Sequence, residues 1–297
     1  MPPLVQTFRV EFNGEFRREN SAVHATVHAR ASGIEILHYY GTGNDTEEFA
    51  SSSFFIVKQQ QYTLQPALVL PVAPKLTVSF GPTATFSHTG ANTGRFIATI
   101  SDTLYGVGDF GQVGGRLGIR LDTRNRTASA SKGVLLTVDG RLYPEVWHVE
   151  STFGTVEAQA ATYLMAPIAL EPTLALRVGG KKVWGTFPFH ESAFIGGAST
   201  LRGWKQQRFA GDAALYGNAE IRLFLTKFFL VLPGDFGVFG LADAGRVYVE
   251  GDSPGEWHTG VGGGIWFAFL DRANTVTIGV ASSTERTAVY VRAGFAY

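Results

Sequence analysis

The chain has 297 residues, 25 Lys and Arg against 25 Asp and Glu, and no cysteine. A formal charge of zero argues against a nucleic-acid binder, which carries a basic excess, and the lack of cysteine removes thiol catalysis, disulfides and Cys-ligated zinc. No apolar run approaches the ~18 residues of a membrane helix, and Met1-Pro2-Pro3 leads straight into an alternating pattern without a signal peptide.

Period-two alternation, the mark of strands, runs through almost the whole chain. Near the N-terminus Phe8, Val10 and Phe12 oppose Thr7, Arg9, Glu11 and Asn13. Further on, Leu76, Val78 and Phe80 oppose Thr77 and Ser79, and Leu117, Ile119 and Leu121 oppose Arg116, Arg120 and Asp122. The pattern predicts strands over 4–18, 20–32, 33–44, 54–70, 75–88, 112–124, 133–146, 153–167, 171–184, 213–226, 235–248, 257–269, 274–283 and 286–297, with 94–106 ambiguous. No composition shift separates domains, so residues 1–297 are expected to form one barrel domain.

Three features favour a membrane barrel over a soluble sandwich. The segments are longer than the five or six residues of an average strand. Their polar faces mix both charges with glycine, as a packed lumen would. Aromatics cluster near segment ends (Tyr39, Tyr40, Tyr62, Tyr105, Trp147, Trp184, Tyr248 and Trp257), where interfacial girdles sit. The predicted fold is all-β: a transmembrane antiparallel β-barrel of 14–16 strands.

Several groupings look chemical. Gly106-Val107-Gly108-Asp109-Phe110-Gly111 has dinucleotide-loop spacing, but an alternating strand follows it instead of a helix. His24 and His28 are four apart, which in a strand spans roughly 13 Å, too far for one metal. His190-Glu191-Ser192 holds the residue types of a hydrolytic triad, but sequence neighbours rarely assemble one. No catalytic residue, metal site or cofactor is expected.

Residues 188–212 break the rhythm with a long non-alternating loop. Within it, Gly196-Gly197-Ala198-Ser199-Thr200-Leu201-Arg202-Gly203-Trp204 resembles the characteristic loop of outer-membrane protein-assembly barrels of the BamA/TamA type, the bacterial surface antigen barrels. Leu201, Arg202, Gly203 and Trp204 match its core, with Trp at the aromatic position. Gly217-Asn218-Ala219-Glu220-Ile221-Arg222 and Phe239-Gly240-Leu241-Ala242-Asp243-Ala244-Gly245 are similar to that family's next two strands, with Leu241 replacing a usual Phe. By alternation Glu220 and Arg222 point into the lumen, opposite Ile221 and Leu223. The resemblance implies that the loop folds into the lumen and that Arg202 pairs with the wall carboxylates Glu220 and Asp243. On the strand at 257–269, Gly260, Gly262 and Gly264 face the lumen. They are read as a packing stripe for the loop, with strand curvature as the equal alternative.

The last residues, Val289, Val291, Ala293, Phe295 and Tyr297, share one face. A lipid-facing closing strand ending on an aromatic looks like the C-terminal signal of bacterial outer-membrane barrels.

The resembled barrels have sixteen strands, with the loop between the eleventh and twelfth. Five segments follow it here and about nine precede it, so an N-terminal part of the barrel, with the export signal, is expected to be missing. The resemblance implies a bacterial outer-membrane location and the insertion or translocation of client proteins without covalent chemistry. The partners would be outer-membrane lipids and either unfolded outer-membrane clients or an N-terminal passenger domain. The alternatives are a membrane anchor or exporter for a patatin-like or phosphoesterase domain, and a passive pore.

Overall fold

The computed structural model describes residues 8–46, 51, 53–229, 231–251 and 255–297; positions 4–7 of the first predicted segment lie outside them. The chain runs as β1 (Arg9–Arg17), β2 (His24–His38), β3 (Ile56–Ala73), β4 (Leu76–Thr89), helix α1 (Phe96–Ile100), β5 (Gly108–Asp122), β6 (Lys132–Tyr143), β7 (Phe153–Met165) and β8 (Thr173–Trp184). After the long loop come β11 (Ala213–Phe229), β12 (Pro233–Tyr248), β13 (His258–Phe269), β14 (Thr275–Ser282) and β15 (Thr287–Ala293). Two short strands inside the loop, β9 (Ala193–Ile195) and β10 (Phe209–Gly211), pair with each other.

Among the described residues the other 13 strands form one sheet in chain order, with β1 and β15 at its edges. Each neighbouring pair is antiparallel, as an up-and-down barrel wall requires. Connections therefore alternate between two ends. Short links such as β3–β4 and β11–β12 define a short-turn end; the β8–β11 loop and the β2–β3, β4–β5 and β6–β7 connections crowd the long-loop end.

The alternation becomes sidedness. Leu117, Ile221, Ile278, Val289 and Val291 are exposed on the outer face. Gln59, Thr83, Ser87, Gln112, Asn218 and Glu220 are buried on the inner face. A soluble fold would reverse that preference.

Four expectations need correction. The predicted segments 20–32 and 33–44 form one strand as far as His38, because an irregularity between Ser32 and Glu35 lets β2 keep its pairing with β3. The ambiguous 94–106 holds α1, whose Ile97 packs with Tyr39, Val57, Phe189 and Ala210. Of the girdle candidates, Trp147, Trp184, Trp257 and Tyr62 are exposed, but Tyr39 and Tyr40 are buried. Tyr105 packs against Phe110 inside the long-loop end. Phe295 and Tyr297 do not continue the lipid-facing row. The chain turns at Gly294, φ +78°, a conformation other residues adopt at a cost. Phe295 then lies against Phe239, Trp266 and the Arg222 guanidinium, 3.9 Å from its ring. The Tyr297 hydroxyl donates to Ala175 O at 3.1 Å.

Leu117→Arg on the outer face should destabilise the barrel in lipid vesicles by about 2–4 kcal/mol if it lies near the bilayer midplane. Thr137→Arg on the inner face, opposite Arg120 and Gln159, should cost less. Urea titration of both variants checks this, and equal losses would contradict the assigned faces.

Candidate functional site: the lumen loop and its anchor

The loop enters from β8 through a short 3-10 turn at Phe189–Glu191 and returns through the β9–β10 hairpin into β11. Apolar side chains fold it inward. Ile195, Leu201, Trp204 and Phe209 bury against Ala214, Tyr216 and Val247 of the wall. At its tip Gly197 and Leu201 form a tight bridge.

Arg202 follows that bridge, nearly fully buried. Its Nε and Nη2 donate to the two oxygens of Asp243 on β12, both at 2.7 Å, and its backbone N–H donates to the same carboxylate at 3.0 Å. Its Nη1 donates to Glu220 on β11. The other Glu220 oxygen accepts from Arg222 Nε and Nη2, at 2.9 and 2.7 Å, and Arg222 Nη1 reaches Ala130 O at 3.1 Å. Asn218 and Asp243 stand opposite each other in the β11–β12 register, with Glu220 two residues along. Two charges of each sign thus occupy a buried site in which every carboxylate oxygen is met by a guanidinium. Burial of charge is tolerated only when it is paired and hydrogen-bonded in this way, and the planar fork of arginine makes the two-point contact that a lysine cannot.

The neighbouring glycine is required by space. Gly203 has φ +92°, and a Cβ there would press on the Ser282–Ser283 backbone. Its N–H donates to the Tyr290 hydroxyl at 2.8 Å and its carbonyl accepts from Ser283 Oγ at 2.9 Å. Trp204 Nε1 donates to Thr259 O at 2.9 Å. The three glycines of β13 separate. A Cβ on Gly260 would collide with the carbonyl oxygen of Arg202, so the loop does pack there. At Gly262 and Gly264 the nearest atoms are the β14 backbone, at Val280 and Ile278, so these two serve close strand approach and not loop packing.

The alternation marks further lumen residues that the motif does not. Arg177 on β8 donates to Asn218 Oδ1 at 2.9 Å and to Ser199 O at 2.5 Å. Arg292 on β15 donates to Ala198 O at 2.7 Å. Arg208, in the loop itself, is buried and bonds Glu285 Oε1 at 2.7 Å through Nε and Thr46 Oγ1 at 2.6 Å through Nη1. Nothing in its local sequence marks it, because its partners are distant in the chain.

The chemical-looking groups do not assemble. His28 bonds Asn13 at 2.7 Å and His24 faces Glu15 at 3.1 Å, so each has a separate partner. Among the described residues no cluster of His, Asp and Glu could hold a metal. Glu191 accepts from Gln112 Nε2 at 2.7 Å, while both ring nitrogens of His190 lack partners. Burial pushes the His190 imidazole down to about 4, and the Lys181 charge adds to this while Glu191 opposes it.

A family model described as the Omp85 superfamily domain matches residues 6–267. The chain belongs to the Omp85 superfamily. That membership indicates a bacterial outer-membrane β-barrel. The crystal structure of BamA from Haemophilus ducreyi lacking POTRA domains 1–3 is similar to it in fold, with a TM-score of 0.64 at 12% identity. The match covers 96% of this chain and 62% of that one, so the chain spans less than two thirds of that structure's length. No curated protein sequence matches.

Two predictions follow from the anchor and its surroundings. Arg202→Ala leaves two buried carboxylates short of a partner, a loss of about 3–5 kcal/mol, and Arg202→Lys should restore only part of it. Ala193 is fully buried in the loop hairpin. Ala193→Cys should therefore resist a water-soluble thiol reagent with Arg202 in place and react once Arg202→Ala is added. Ser199, already exposed, serves as the always-labelled control after Ser199→Cys. Equal protection of the Ala193→Cys site with and without Arg202 would refute the anchor. For His190, the unfolded chain binds a proton near pH 6.5 and the folded one only near 4. Stability is therefore greatest above 6.5 and falls as pH drops through this window, by about 2 kcal/mol at pH 5. His190→Phe should flatten that slope in urea titrations at pH 7.5 and 5.

Proposed function

We propose that this chain is a barrel that assembles or translocates client proteins in the outer membrane, acting by backbone pairing and without covalent chemistry. The observation that carries the reading is an inward-folded loop anchored by Arg202 on Glu220 and Asp243 inside the wall of a chain that matches the Omp85 superfamily. An exposed edge in a medium without water is a strong template, because each unpaired N–H and C=O there has no other partner. Outer-membrane lipids would be the solvent of the outer face, and unfolded outer-membrane proteins the clients. The roles of Arg202, Glu220, Asp243, Arg222 and Gly260 in this reading are to hold the loop while the edges stay available. Phe295 and Tyr297 would close the short-turn end from within. A passive pore is the weaker reading, since the loop and the C-terminal residues occupy part of the interior.

The test is reconstitution. Vesicles carrying the protein, in its natural full-length form, should speed the insertion of a urea-unfolded outer-membrane barrel protein several-fold over empty vesicles. They should show little ion conductance. Large steady conductance with no acceleration would favour the pore and reject assembly.

A further inference from the structure

A second segment folds inward at the short-turn end. The connection between β5 and β6 has nine residues, 123–131, where the one between β3 and β4 has two. Its neck is held tightly. Asn125 Oδ1 accepts from the N–H groups of Ser131 at 3.0 Å and Lys132 at 3.2 Å. Arg124 sets Nε and Nη2 on the two oxygens of Asp122, both at 2.9 Å. Beyond the neck the chain leans past β7 and β8, where Ala130 packs with Ala161, Tyr163 and Ala175. It then bonds the far flank of the sheet. Ala128 O accepts from Phe295 N–H at 2.9 Å. Ser129 Oγ donates to Arg272 O, in the β13–β14 turn, at 2.6 Å, and Ala130 O accepts from Arg222 Nη1 at 3.1 Å. Ser129 and Ala130 are both buried, although connecting segments ordinarily run over the surface.

This segment and the lumen loop share one carboxylate. Glu220 Oε1 accepts from Arg202, and Oε2 accepts from both Nε and Nη2 of Arg222, at 2.9 and 2.7 Å. The third nitrogen of Arg222 is the one on Ala130. A continuous line of contacts thus runs from the loop tip through Arg202, Glu220 and Arg222 to the connection at the other end.

We infer that the 123–131 connection is a second plug, linked to the lumen loop through Glu220 and Arg222, so that release of Arg202 at one end opens the other. The direction of the linkage follows from the pairing. An unhindered guanidinium and carboxylate bond two-to-two, nitrogen fork on oxygen fork. Arg222 instead puts two nitrogens on one oxygen, because Arg202 occupies the other. That arrangement leaves Nη1 for Ala130. When Arg202 leaves, Oε1 is vacated at a site where Glu220 is 1% exposed, and water does not take its place. The Arg222 fork then spreads over both oxygens and Nη1 turns off Ala130. Whatever draws the loop away at the long-loop end unlocks the short-turn end as well. By reciprocity, whatever lifts the plug weakens the loop.

The chain has no cysteine, so thiol labelling of the full-length protein in lipid vesicles tests this. Ser129→Cys is a near-isosteric probe at a buried position, and Thr127→Cys, at an exposed one, is the always-labelled control. Faster migration of unboiled than of boiled samples on a gel shows that each variant keeps its wall. A water-soluble reagent should reach Ser129→Cys slowly with Arg202 in place. Arg202→Ala should speed the reaction by about tenfold or more, although the bonds of Arg202 go to Asp243 and Glu220 and not to the connection. Arg202→Gln, closer in size, serves if the Ala variant fails the gel test. Arg222→Ala should give a similar rise, and adding Arg202→Ala to it should give no further one, since both act on the same contact. Trp204→Ala disturbs the loop at its apolar cluster and its Thr259 bond but leaves Glu220 its partners, so Ser129→Cys should stay protected. Continued protection of Ser129→Cys after Arg202 is removed would overturn the linkage. So would equal exposure in Trp204→Ala, or rises that multiply in the Arg202 and Arg222 double variant.

Discussion

The two-point contact of Arg202 with Asp243 and its further bond to Glu220 is the interaction on which the interior depends. A guanidinium taken out of water loses hydration worth several kcal/mol, and only near-complete pairing offsets that loss. The wall meets the demand by placing Glu220 and Asp243 on adjacent strands of the same face, where the pleat aims both inward. Arg222 then satisfies the second oxygen of Glu220, so no carboxylate oxygen of the pair is left bare.

Fixed there, the loop becomes a strap across the lumen. On one side it is bonded to β8, through Arg177, and to the connection after β2, through Ala210 and Arg208. On the other it is bonded to β13, to the turn after β14 and to β15, through Thr259, Ser283, Tyr290 and Arg292. The two flanks of the sheet are thus held together by side chains through the interior.

The wall was legible in the sequence because lipid outside and polar groups inside impose a strict two-residue period, and that period survives in nearly every strand from β3 to β14. The anchor was legible because Arg202, Glu220 and Asp243 sit in short motifs. What stayed hidden depended on backbone conformation or distance. The bulge joining two segments into β2 leaves no residue-type mark at Ser32. Gly294 turns the chain inward, although Phe295 and Tyr297 keep the parity of an outward row. Gly260, Gly262 and Gly264 look alike in sequence, yet only Gly260 meets the loop, because the loop crosses β13 at one height. Tyr39 and Tyr40 resemble girdle residues but stand beyond the end of β2, where the chain bends over the lumen. Arg208 has partners at Thr46 and Glu285, 162 and 77 residues away, which no local pattern could disclose.

Those separations also order the assembly of the protein itself. Arg202 finds Glu220 and Asp243 only 18 and 41 residues along the chain. Loop-closure entropy grows with separation, and contacts of long range form late. The β11–β12 hairpin can therefore capture the loop while the N-terminal strands are still unpaired, and the Thr46 contact waits until β2 has been brought round. The barrel wall would then be wound around a loop already in position, which avoids threading a bulky, tryptophan-tipped segment into a finished cylinder.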